Sequence, residues 1–102
     1  MPALRVAIDL GAGSGRAFVG CAGDGALDLQ EVHRIHYAAR PSEGRLRWDA
    51  ARLFLGLSDG LGKAVERAAA QQARLASVGV DSWAVDYGLI DAEGLLLEEP
   101  IC

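Results

Sequence analysis

The first grouping that could do chemistry in this 102-residue sequence is Asp9 with the glycines at 11, 13 and 15, together with Ser14 and Arg16. A dinucleotide fingerprint needs G-x-G-x-x-G opening a helix, and a Walker loop needs Gly-Lys-Ser/Thr after its glycines. Neither spacing is present. Backbone N–H groups in a glycine-rich bend between two strands can form an anion-binding nest. Ser14 adds a hydroxyl donor there, and Arg16 adds a guanidinium suited to phosphate oxygens. Asp9 would repel a phosphate directly, so its place beside the bend implies a cation between them, Mg²⁺ with its waters. The competing reading is a plain glycine-rich hairpin in which Asp9 bonds local N–H groups.

A second grouping runs Asp81-Ser82-Trp83-Ala84-Val85-Asp86-Tyr87. It follows a short apolar run, and α/β folds place ligands just beyond the carboxyl ends of their strands. Asp81 and Asp86 supply carboxylates, and the face of Trp83 suits the C–H face of a sugar. Small Ala84 would let a ligand approach the backbone. The alternative makes Trp83 and Tyr87 core aromatics and puts Asp86 in a turn. His33 and His36 are three apart on an expected strand, so they face opposite ways and cannot chelate one metal. Trp48-Asp49 reads as a packing residue and a helix cap. Glu66-Arg67 and Asp59-Lys63 read as solvated helix charges.

The elements that must position these groups follow from periodicity. Alternating apolar residues at 4, 6, 8 and 10 predict a strand. The glycines at 11–15 predict a turn through their access to positive φ. Strands are expected again over 16–21 and 27–37, joined by the hairpin signal Gly23-Asp24-Gly25. A loop is expected over 40–46. Asp49 is a candidate N-cap for a helix over 50–72 whose apolar face is Leu53, Leu57, Leu61, Val65 and Ala68. Gly56, Gly60 and Gly62 weaken that helix unless they permit close packing on a sheet. A strand over 75–81 and a hairpin over 85–97 complete the order β-β-β-α-β plus hairpin. The long helix acts as a crossover, so the strand after it should run parallel to an earlier one.

Composition narrows the function classes. Fourteen carboxylates against ten Lys and Arg leave a net charge of −4, unlike a general nucleic-acid binder. No apolar run is long enough to span a membrane, and the N-terminus lacks the apolar core of a signal peptide, so a cytoplasmic location is expected. Cys21 and Cys102 make neither a disulfide framework nor a zinc site.

Four stretches together resemble the N-terminal end of the FGGY carbohydrate kinases, most closely the branch acting on L-rhamnulose. They are Ala7-Ile8-Asp9-Leu10-Gly11-Ala12-Gly13-Ser14-Gly15-Arg16, Glu31-Val32-His33-Arg34, Gly44-Arg45-Leu46-Arg47-Trp48-Asp49, and 77–87. The resemblance implies an α/β, RNase H-like (actin-type ATPase) fold, with residues 1–102 as an incomplete N-terminal domain. It implies transfer of the ATP γ-phosphate to the 1-hydroxyl of L-rhamnulose. By position, Asp9 resembles the Mg²⁺-organising aspartate, and Ala12, Gly13, Ser14, Gly15 and Arg16 the phosphate-binding turn. Ala84, beside Trp83 and Asp81, resembles the sugar-contacting position. Gly13 stands where such kinases carry Ser, and Ala84 where they carry Gly. The family continues beyond the Pro100 position with its general base, adenine pocket and second domain, so this chain by itself is expected to be inactive. Kinases for fuculose, xylulose or glycerol, and a stand-alone sugar- or anion-binding domain, are the other readings.

Overall fold

The computed structural model describes residues 1–102. Four strands form one sheet in the order β3-β2-β1-β6: β1 (Ala3–Leu10), β2 (Ser14–Gly23), β3 (Ala26–His36) and β6 (Arg74–Asp81). The first three form the expected antiparallel meander. Between β3 and β6 lie a short hairpin, β4 (Arg40–Ser42) with β5 (Arg45–Arg47), and the helix α1 (Ala50–Ala70). As the crossover argument requires, β6 returns parallel to β1, with Val6 opposite Val78 and Asp9 opposite Asp81. No helix is long and apolar enough to cross a membrane.

The core lies between α1 and one face of the sheet. Leu4, Val6, Ile8 and Leu10 of β1 are buried there beside Ala17 and Val19 of β2 and Ile35 of β3. The helix uses part of the face its large residues predict, with Ala68 buried and Leu57 packed against the core, but its closest contacts come from small residues. Gly60, Ala64 and Ala68 are buried, whereas Val65 is half exposed and Leu61 is also exposed. The reason is the close approach of α1 to β2 and β3. A Cβ on Gly56 would fall 2.3 Å from Ile35 Cγ2, and one on Gly60 would fall 3.0 Å from Ala17 Cβ. Small residues therefore face the sheet and the large ones flank the contact. Arg67 is not a freely solvated charge, because its guanidinium donates to Gln30 Oε1 on β3 at 2.7 Å. Lys63 pairs with Glu66 at 3.5 Å rather than with Asp59.

The two ends of α1 are closed by hydrogen bonds. Asp49 caps the start, accepting from the Arg52 N–H at 3.0 Å, as its residue type predicts. The Glu99 carboxylate accepts from the Ala50 N–H at 2.8 Å and satisfies a second free donor of the first turn. At the other end Gln72 takes φ 53°, and the Ala73 N–H reaches back to the Ala68 carbonyl at 2.8 Å. This is the left-handed closure that usually recruits glycine.

Three further expectations change. The loop over 40–46 contains the β4–β5 hairpin, whose tight turn uses Glu43 and Gly44, both at positive φ. The hairpin over 85–97 shrinks to a single bridge between Ile90 and Leu96, closed by the Asp91 carboxylate accepting from the Glu93 and Leu95 amides. The glycine-rich turn is only Gly11 to Gly13, because Ser14, Gly15 and Arg16 already belong to β2, and none of its glycines has positive φ. Gly11 and Gly15 serve close approach instead. A Cβ on Gly11 would lie 3.0 Å from the Ser14 carbonyl oxygen, and one on Gly15 would lie 3.1 Å from that of Asp9.

Candidate active site

The carboxyl ends of β1 and β6, the start of β2, the exit of β3 and the first turn of α1 meet at one end of the molecule. Asp9 stands on β1 with Arg16 of β2 as its partner on one side and Asp81 of β6 on the other. All three lie on the sheet face away from α1. Cross-strand partners share a face, so two carboxylates and one guanidinium stand in a row across three strands. Arg16 reaches Asp9 at 3.7 Å, with both side chains about half exposed. Such a pair contributes about 0–1 kcal/mol and is readily rearranged. The Arg16 guanidinium also lies 5.6 Å from the Phe18 ring centroid, a cation–π contact that holds it over the sheet.

Beside Asp9 the turn is drawn together by one backbone bond, from the Gly11 N–H to the Ser14 carbonyl at 2.9 Å. The Ala12 and Gly13 N–H groups make no bond inside the protein. Nothing lies within 4 Å of a Cβ built on Gly13, so its missing side chain leaves open space at the tip. Two free amide donors, the Ser14 hydroxyl and the Arg16 guanidinium thus lie within a few residues of an accessible carboxylate. This donor set suits phosphate oxygens.

No group of three His, Cys, Asp or Glu side chains is gathered anywhere in the chain. Asp9 and Asp81 offer hard oxygen ligands on one face, which fits Mg²⁺: that ion keeps several waters and shares its shell with phosphates rather than filling a protein cage.

The second grouping is assembled by aromatic packing. Trp48 is buried and stacks on Trp83, with ring centroids 4.5 Å apart and planes 28° apart. The Trp48 indole N–H donates to Asp86 Oδ2 at 2.6 Å, so Asp86 anchors an aromatic ring. Tyr37 lies edge-on to Trp48 and tilted against Trp83. A cavity of about 190 Å³ opens beside this cluster, lined in part by Leu10, Leu53, Trp83 and Asp86. Ala84, which follows Trp83 in the chain, is exposed. Tyr87 is 75% exposed and so is not a core aromatic.

Tyr37 was not legible as a site residue. Tyr37 closes an expected strand with no partner visible in the sequence, yet its hydroxyl donates to the Gly11 carbonyl at 2.5 Å. Burial, with the Asp9 charge second, raises its phenol above the ordinary value, so it is a protonated donor at neutral pH.

No family model matches the chain. The chain is 41% identical over 98 residues to the rhamnulokinase of Bacillus subtilis, a match covering 96% of this chain and 19% of that protein. It is 40% identical over 96 residues to the rhamnulokinase of Lactiplantibacillus plantarum, again over 19% of that protein's length. Among solved structures, a xyloylose kinase from Brucella ovis superposes with a TM-score of 0.69 at 18% identity, over 96% of this chain and 20% of that one. The chain thus spans about a fifth of the length of the proteins it matches. By sequence it is a relative of the N-terminal fifth of the rhamnulokinases, and its fold is the actin-like ATPase fold of the sugar kinases.

Proposed function

We propose that this chain forms the N-terminal part of an ATP-dependent sugar kinase that phosphorylates the 1-hydroxyl of L-rhamnulose. The observation that carries this reading is the 41% identity to a rhamnulokinase, which runs along 96% of the chain. In this reading the Ala12 and Gly13 amides, the Ser14 hydroxyl and the Arg16 guanidinium bind and orient the ATP phosphates at the β1–β2 turn. Gly15 keeps β2 tight against the Asp9 backbone. Asp9, with Asp81 beside it, organises the hydrated Mg²⁺. When bound, that ion supplies neutralisation of the charge developing on the transferred phosphoryl group. The exposed backbone at Ala84 and the face of Trp83 bind the ketose. Phosphoryl transfer relies on positioning and charge stabilisation, and both draw on groups from the two sides of a cleft. These 102 residues alone are therefore expected to show no turnover.

The test grafts the chain in place of the matching fifth of the Bacillus subtilis rhamnulokinase and, in parallel, of the Brucella ovis xyloylose kinase. ADP release is followed with L-rhamnulose, xylulose, fuculose and glycerol. Turnover of L-rhamnulose by the first graft, with the second inactive, is the expected result. In the active graft, Asp9→Asn should lower kcat by about 10²-fold or more, equivalent to ~2.7 kcal/mol, with little change in the sugar KM. Activity only on the xyloylose kinase remainder would overturn the substrate assignment. A folded but inactive pair of grafts would overturn the kinase reading.

A further inference from the structure

Tyr37 contacts both halves of the candidate site, and no role described so far uses it. Its hydroxyl donates to the Gly11 carbonyl at 2.5 Å, while the Gly11 N–H is held by the Ser14 carbonyl at 2.9 Å. Gly11 is therefore gripped from both sides, and the Tyr37 bond is the only one of the two that comes from outside the hairpin. The ring also borders Gly15, where a Cβ would lie 3.4 Å from Tyr37 Cε1. Toward the other half, the Tyr37 centroid is 6.1 Å from that of Trp48 and 6.2 Å from that of Trp83. Trp83 directly precedes Ala84. Trp48 is tied in turn to Asp86, so the aromatic cluster is anchored at its far side as well.

We propose that Tyr37 is a positioning residue that fixes the glycine-rich turn through its hydroxyl and the sugar-side tryptophans through its ring. Phosphate and sugar ends are thereby held at one spacing. The inference rests on the kinase reading above and adds to it a division of labour within one side chain. An in-line transfer tolerates little error in the separation of donor and acceptor. A side chain bonded to the turn and packed on the tryptophans makes that separation a property of the fold.

Two variants separate hydroxyl from ring. In the rhamnulokinase graft, Tyr37→Phe keeps the ring and loses the bond, and should raise the KM for ATP about 5- to 10-fold while leaving the sugar KM within about 2-fold. Tyr37→Leu loses both and should raise both KM values. In the 102-residue chain, Tyr37→Phe should accelerate amide exchange at Gly11 about 5- to 10-fold without changing that of Val6 in the centre of β1. Unchanged ATP KM and unchanged Gly11 exchange would overturn the proposal. So would an equal rise of both KM values in Tyr37→Phe with exchange accelerated throughout the sheet, because that pattern marks general loosening. A graft inactive with Tyr37 intact would refute the kinase reading instead, and Gly11 exchange would then decide by itself whether Tyr37 holds the turn.

Discussion

Placing a methyl group on Gly56 or on Gly62 should move stability in opposite directions, although both glycines lie in α1. Glycine to alanine in a helix interior gains about 1 kcal/mol of helix propensity wherever the methyl fits. At Gly62 nothing lies within 4 Å of the new Cβ, so the full gain should appear. At Gly56 the Cβ would lie 2.3 Å from Ile35 Cγ2, more than an ångström inside the ~3.5 Å of ordinary carbon contacts. Ile35 cannot step aside, since it is only 3% exposed and its branched Cβ restricts χ1. The helix must lift off β3 instead. Overpacking of this kind costs about 1–3 kcal/mol, and the upper end applies to so large a deficit. After the propensity gain, Gly56→Ala should lose ~2 kcal/mol and Gly62→Ala should gain ~1 kcal/mol. At about 4–8 °C per kcal/mol, their melting temperatures should differ by at least ~12 °C. Thermal melts followed by helical circular dichroism, with urea titrations alongside, measure both. A Gly56→Ala variant melting at or above the parent would refute the close packing that places small residues of α1 on the sheet.

Gln72→Gly should stabilise the chain by about 1 kcal/mol in the same melts, because it relieves a left-handed residue at the helix end; a loss would mean that the Gln72 side chain contributes more than its backbone costs. The raised Tyr37 phenol gives a pH signature. The unfolded chain loses that proton first, so the stabilisation is full below about pH 10 and is lost as pH rises through the folded value, and Tyr37→Phe should flatten this decline. The 102 residues should also self-associate, because the outer edge of β6 is unpaired and Val78 and Val80 are half exposed. Sedimentation over a concentration series should show this, Val80→Lys should reduce it, and a concentration-independent monomer would count against it.

The four strands of the main sheet and their succession along the chain were legible because alternation in β1, the Asp24-Gly25 turn and the crossover helix each leave a direct mark on the sequence. The buried face of α1 was legible only in part, through Leu57 and Ala68. Periodicity weighs large apolar residues, whereas the distance between helix and sheet is set by where the backbone can come closest, and Gly56 and Gly60 decide that. The β4–β5 turn escaped notice because Glu43 is an unusual residue at positive φ. The run over 85–97 is apolar enough for a hairpin, but it finds no sheet to join and keeps one bridge. Asp9, Asp81, Trp83 and Ala84 do come to one end of the fold, because strand ends collect there. The grip of Tyr37 on Gly11 and of Asp86 on Trp48 spans 26 and 38 residues, and no local pattern encodes such contacts.

The Glu99 carboxylate on the Ala50 amide sets an order of events during synthesis. The same stretch supplies the Pro100 carbonyl to the Trp48 N–H and the Glu99 carbonyl to Arg47, so the entry into α1 is closed by residues made about fifty positions later. At about 5–20 residues per second, the ribosome needs roughly 2.5–10 s to cover that distance. During that interval the first turn of α1 has the Asp49 cap alone, while the β1–β2–β3 meander is already complete. The nascent sheet therefore waits, with its apolar face formed, for a helix whose entry closes last. A chaperone that recognises exposed apolar strands would meet this chain in that window.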